Sequence, residues 1–107
     1  MPRSRSYQEE LLKSLQDPEE AKAYLNAALE DGDESVFLLA LRNVVEAEMG
    51  MARLAEQSGR NRESLYKTLS EQGNPQLTSV RSILSTLGYR LAIEVEPQKS
   101  APPAMMG

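Results

Sequence analysis

The run MARLAEQSGRNRESLYKTLSEQGNP, residues 51–75, constrains this chain more than any other part of it. Leu54, Ala55 and Gly59 precede a short polar break, and Leu65 and Leu69 follow it. Two short helices that cross at a tight turn have particular needs. The first helix needs a small residue where the second passes close over it, and Ala55 supplies one. The turn needs a position that tolerates positive φ, which Gly59 adopts without a Cβ clash. The second helix needs an apolar residue on its inner side, Leu65, with its polar side left free. The order Ala55, Gly59, Leu65 has the spacing of a helix-turn-helix, a unit whose second helix can enter the major groove of DNA. An αα-hairpin in a helical bundle uses the same residues, so this stretch alone leaves both readings open.

On the DNA-reading view, helix 51–58 leads through the turn Gly59-Arg60-Asn61 into helix 62–71, with Asn61 as its N-cap. Arg62, Glu63, Tyr66 and Lys67 then face outward, and Leu65 and Leu69 inward. Arginine reads guanine with a two-pronged hydrogen bond, and lysine holds a phosphate as a point charge. Asn61 and Ser64 can reach a base edge or a phosphate. Glu63 either accepts from cytosine or steers Arg62. Tyr66 either touches the sugar-phosphate backbone or packs between helices. Arg53, and Arg81 from a later helix, add positive charge. The candidate DNA-binding residues are therefore Arg53, Arg60, Asn61, Arg62, Glu63, Ser64, Tyr66 and Lys67.

A net charge of −4 sits oddly with a nucleic-acid partner, but the charge is unevenly spread. Residues 6–50 carry 11 acids and 3 bases, whereas residues 51–93 carry 6 bases and 3 acids. The basic portion is the one with the helix-turn-helix spacing. The acidic portion suggests a second, basic partner, although charged helix faces are commonly just solvated. There is no Cys and no His, which excludes disulfides, thiolate or imidazole metal sites, and Ser-His or Cys-His catalysis. No metal and no cofactor is expected. No apolar run approaches the ~20 residues that span a bilayer, and the N-terminus lacks the apolar region of a secretory signal. A cytoplasmic protein is the expectation.

Upstream, Ser6 and Glu9 have the spacing of a capping box for a short helix, about 7–15, striped by Tyr7, Leu11, Leu12 and Leu15. Asp17-Pro18-Glu19-Glu20 is a clear helix start: Asp17 caps, Pro18 needs no N–H partner, and Glu20 completes a box. Ala21, Tyr24, Leu25, Ala28 and Leu29 follow at helical spacing, and Gly32 ends the run. Asp33 starts the next helix, with Phe37, Leu41, Val44 and Val45 inside. The acid run 30–34 lacks the alternating ligand spacing of a calcium loop. Glu46 and Glu48, two apart on a helix, point to different sides and make no acid–base pair. After a loop at 72–77, Thr78 or Ser79 caps a helix with Val80, Ile83, Leu84 and Leu87 inward, and Gly88 stops it. Residues 89–95, YRLAIEV, alternate with period two, which predicts a strand with Tyr89, Leu91, Ile93 and Val95 on one face. A lone strand leaves its backbone groups unpaired. Pairing across a two-fold axis would satisfy it and make a homodimer; joining a partner protein's sheet is the alternative. Residues 96–107 read as a disordered tail.

Residues 51–88 resemble, without gaps, the helix-turn-helix domain of the Cro/XRE repressor superfamily. One departure is Arg60, where that pattern usually has an apolar residue. Either its charge snorkels outward to a phosphate or the turn is tilted. The run RESLYKTLSEQGNP followed by LGYRLAIEV, with AYLNAALEDGDESVFLLALRNVVEA upstream, resembles the antidote proteins of two-gene addiction modules. That resemblance covers residues 17–95. It implies a DNA-binding antitoxin that neutralises a small basic toxin of the RelE/ParE-like type and represses its own operon as a dimer, with no catalysis of its own. The acidic stretch 6–48 is the candidate toxin surface. A stand-alone transcriptional regulator, or an interaction module without DNA binding, are the other readings. The expected fold is all-α: a repressor-like helix-turn-helix domain with an N-terminal helical extension and one C-terminal β-strand. Its expected parts are an arm and short helix (1–16), an acidic two-helix segment (17–50), the helix-turn-helix domain with its strand (51–95), and the tail.

Overall fold

A computed structural model of the protein describes residues 2–70 and 72–96. Six helices follow one another: α1 (Pro2–Ser14), α2 (Pro18–Asp31), α3 (Glu34–Glu48), α4 (Met51–Ser58), α5 (Arg62–Thr68) and α6 (Leu77–Leu87). Asp17 starts α2 by accepting the Glu19 N–H at 3.0 Å on its side chain. The Asp17 N–H is already taken by the Ser14 carbonyl at 3.1 Å, so Glu20 does not close a reciprocal box. Asp33 starts α3 in the same way, accepting the Ser35 N–H at 2.9 Å and the Ser35 hydroxyl at 2.8 Å. Those bonds favour the ionised form, the side-chain one most, and hold the Asp33 carboxyl below its ordinary pKa.

Three helix boundaries differ from the sequence expectation. Helix α1 begins at Pro2 and runs straight through Ser6, so Ser6 is no cap. Proline is accommodated in a first helical turn, where N–H groups have no partner within the helix. Helix α5 ends at Thr68 rather than residue 71. There the Ser70 hydroxyl and the Ser70 N–H both donate to the Lys67 carbonyl, at 2.9 and 3.2 Å, which tightens the chain out of the helix. Helix α6 starts after Gln76, with no side-chain cap from Thr78 or Ser79. The Gln76 carbonyl instead accepts the Ser79 and Val80 N–H groups at 3.0 and 3.1 Å.

One buried cluster runs through the molecule from Leu15 to Leu84. Helix α3 is central to it: α1 and α2 pack on α3, α3 touches α4, and α4 packs on α5 and α6. Leu41, Val44 and Val45 are fully buried, as are Leu15, Leu54, Leu65, Leu69 and Ile83. Each such side chain contributes roughly 1.5–3 kcal/mol of apolar transfer. Phe37 is buried as expected, whereas Tyr7 and Leu29 stand exposed. Asn43 is the one buried polar side chain among the described residues. It accepts from Gln8 Nε2 at 3.3 Å and donates to the Tyr24 hydroxyl at 2.9 Å, so it ties α1 and α2 to α3.

The expected C-terminal strand is not formed. Residues 89–96 have no regular secondary structure, and no strand occurs among the described residues. Period-two alternation says which side chains share a face. It does not supply the neighbouring strand whose N–H and C=O groups a ladder needs, and the described residues offer none. The tail, expected at 96–107, lies outside the described residues from 97 onward.

Candidate nucleic-acid interface

Helix α4 turns into α5 at Gly59, which has φ 72°, the left-handed conformation that a side chain disfavours. The Gly59 and Arg60 N–H groups both donate to the Ala55 carbonyl, the latter at 3.0 Å, and so close the helix end. Ala55 is half-buried against the core. Asn61 then caps α5 by accepting the Ser64 N–H at 3.1 Å on Oδ1. That use leaves Asn61 its amide Nδ2 to donate to a base or phosphate.

Leu65 turns inward and is fully buried, and Leu69 beyond the helix end is too. Arg62, Glu63, Ser64 and Lys67 are exposed on α5, and Arg53 is exposed on α4. Glu63, in the first turn of α5, faces the positive end of the helix dipole. These side chains form the free polar side that a recognition helix requires.

Two members of the candidate set are placed differently. Arg60 is half-buried, and its Nη1 lies 3.5 Å from the Ser79 hydroxyl, to which it donates. The residue therefore links the turn to the first turn of α6. Tyr66 is half-buried against the core cluster, so packing between helices, not the outward position, describes it. Its ring carries the Arg42 guanidinium at 5.2 Å from the centroid, a cation–π contact. Arg42 is absent from the sequence-derived set. It is the only basic residue of α3, and that isolation in an acidic helix was the available signal. Its spatial neighbour, Tyr66, lies far along the chain, and no local spacing reveals the contact. Arg81 is exposed on α6.

The four residues expected on one dimerisation face part company. Tyr89 packs against the core, and its hydroxyl donates to Glu48 Oε2 at 2.6 Å. Burial, then that hydrogen bond and the Glu48 charge, push the phenol well above the ordinary tyrosine pKa. Leu91 lines a surface groove. Ile93 and Val95 lie in solvent, 99% and 93% exposed.

Among the described residues, no group of His, Cys, Asp or Glu side chains is arranged to hold a metal ion. No helix among them is long and apolar enough to cross a membrane.

A family described as "probable addiction module antidote protein" matches residues 7–95. An uncharacterized protein of Haemophilus influenzae is 31% identical over 85 residues, which span 79% of this chain and 87% of that protein. No solved structure matches. The family match runs from α1 through α6 into the C-terminal segment, and so takes in both the acidic helices and the basic ones. The chain belongs to the addiction-module antidote family.

Proposed function

We propose that the protein is a DNA-binding antitoxin that neutralises a cognate toxin of the RelE/ParE-like type and represses its own operon as a homodimer. It acts by occupancy, in the cytoplasm, and not as an enzyme. Antidote-family membership supports the toxin partner. The observation that carries the DNA-reading part is α5 itself. One apolar side chain, Leu65, is buried, while Arg62, Ser64 and Lys67 stand exposed around a capped first turn. The resemblance of residues 51–88 to the Cro/XRE helix-turn-helix supports the same reading.

In this reading Arg62 contacts a base or phosphate, and Arg53, Arg60 and Lys67 hold the DNA backbone. Arg42 braces α5 through Tyr66. Affinity that rests on such cations falls steeply with salt, because counterions are released on binding. Two recognition helices about 34 Å apart match half-sites one DNA turn apart, which is the reason to propose a dimer. Ile93 and Val95, fully in solvent, are the residues of the C-terminal segment that a second copy would cover.

The test is a titration of the purified protein with duplex DNA from upstream of its own gene, beside a scrambled duplex, at two salt concentrations. Tight, salt-sensitive binding to the native duplex alone is the expected result. Equal, weak binding to both duplexes would remove the DNA-reading part. Arg62→Ala is expected to cost about 1–3 kcal/mol of specific binding with an unchanged melting temperature. Undiminished affinity in that variant would remove α5 as the reading helix.

A further inference from the structure

A groove of about 340 Å³ opens between the α2–α3 turn and the start of α6. Ala28, Phe37, Leu38 and Val80, all buried, contribute its apolar lining. Three larger apolar side chains also line it while standing in solvent: Leu29, Leu77 and Leu91, which are 46%, 64% and 38% exposed. Three exposed leucines gathered at the mouth of one groove make it a candidate docking surface.

Among the described residues, the charge at this groove is of one sign. Asp33 and Glu34 line it, and Glu30 and Asp31 lie exposed on the same helix-to-helix turn. Among the described residues, no lysine or arginine lines it. The one ion pair among the described residues, Lys22–Glu19 at 3.0 Å, involves none of these four acids. The occupant must therefore supply apolar side chains and positive charge together.

We propose that the groove is the docking site for a basic segment of the toxin, one that inserts apolar side chains and sets lysine or arginine against the acidic turn. This inference rests on the antitoxin reading above. A second copy's C-terminal segment is the other apolar candidate for this groove. Over residues 89–96 it carries Glu94 and Glu96 against Arg90, a net negative charge that the acidic turn would repel. None of the residues assigned to DNA lines the groove, so toxin and operator are given separate surfaces.

The test uses the full chain and the protein encoded by the reading frame beside its gene, followed by titration calorimetry. One variant combines Leu29→Lys with Leu77→Lys, both at exposed positions. A second combines Glu30→Gln with Glu34→Gln and leaves the apolar lining intact. Gln57→Lys, at an exposed position of α4 outside the acidic stretch, is the control. Circular dichroism and melting establish that each variant is folded. The expected result is binding by the wild type and the control, weakened about tenfold or more in the leucine variant. The glutamine variant should bind more weakly and with less salt dependence. Unchanged binding by both variants, with the wild type bound, would overturn the groove and leave the antitoxin reading standing. No binding by the wild type would overturn the antitoxin reading and the groove with it. A leucine variant that sediments as a monomer while still binding the neighbour's product would reassign the groove to a second copy.

Discussion

Helices α2 and α3 begin on aspartates whose side chains accept first-turn N–H groups, while α4 and α6 begin with no side-chain cap. The first pair runs for 14 and 15 residues; α4, α5 and α6 run for 8, 7 and 11. Helices as short as α4 and α5 do not hold themselves together in water. They persist because Leu54, Leu65 and Leu69 are buried in a core that α3 anchors. The acidic half thus has more local caps than the basic half, and the two halves depend on each other through one shared core. This division suits a recognition helix. A helix stabilised by its inner leucines needs few bonds among its outer polar side chains, and those stay available to a ligand.

If that dependence is real, damage in either half melts both. Leu41→Ala in α3 and Leu65→Ala in α5 both empty fully buried sites, and each should cost roughly 2–5 kcal/mol. Each variant should unfold in one cooperative transition in urea, seen alike by far-ultraviolet dichroism and by Tyr fluorescence. Two separated transitions in Leu65→Ala would break the comparison, because the acidic half would then stand alone.

The same division explains what could be read from the sequence. Asp17 and Asp33 as caps, and Gly32, Gly59 and Gly88 as helix stops, are each decided within one turn of the chain, and all are observed. Asn61 as the cap of α5 belongs with them. The inward faces followed from spacing: Phe37, Leu41, Val44 and Val45 on α3, Leu65 on α5, and Val80, Ile83 and Leu84 on α6. What escaped is decided at a distance. Arg42 meets Tyr66 across two helices, and Arg60 meets Ser79 across nineteen residues. The segment 89–95 has the alternation of a strand, but a strand is a property of two segments, and Tyr89 is instead drawn back to Glu48. Tyr7 and Leu29 occupy apolar helical spacing, yet no element among the described residues covers them.

Gly73 sharpens the comparison in the basic half. A Cβ built there would run into the Thr68 carbonyl oxygen and lie 2.9 Å from the Lys67 carbonyl oxygen. Both obstacles are backbone at the end of α5, which cannot turn aside as a flexible side chain would. Gly73→Ala should therefore destabilise by about 1–3 kcal/mol, the range for forcing atoms into occupied space. It should also weaken DNA binding, because the end of α5 must shift. A variant as stable as the wild type would mean that the loop after α5 is free to move away.

The caps offer a smaller, paired test. Asp17→Ala and Asn61→Ala each remove one side-chain bond to a first-turn N–H, at 3.0 and 3.1 Å. Each should lower stability by about 1 kcal/mol. Only Asn61→Ala should also weaken operator binding, since its cap lies at the start of the proposed reading helix. Equal loss of operator binding in both would mean that affinity simply follows global stability.

The smallest effect concerns the tie between the C-terminal segment and α3. The Tyr89 phenol must keep its proton to donate to Glu48. Its pKa in the folded protein is raised, first by burial and then by the hydrogen bond and charge of Glu48, while in the unfolded chain it stays near the ordinary tyrosine value of about 10. A raised pKa means that the unfolded state loses its proton first as the solution turns alkaline. This contribution to stability is complete below about pH 10 and declines above it. Tyr89→Phe removes both the bond and the titration. Its stability should be slightly lower than wild type at neutral pH, and the deficit should shrink as pH rises above 10. Parallel stability curves for the two proteins across that range would show that the hydroxyl is no more constrained in the folded chain than in the unfolded one. The C-terminal segment would then have no specific hold on α3.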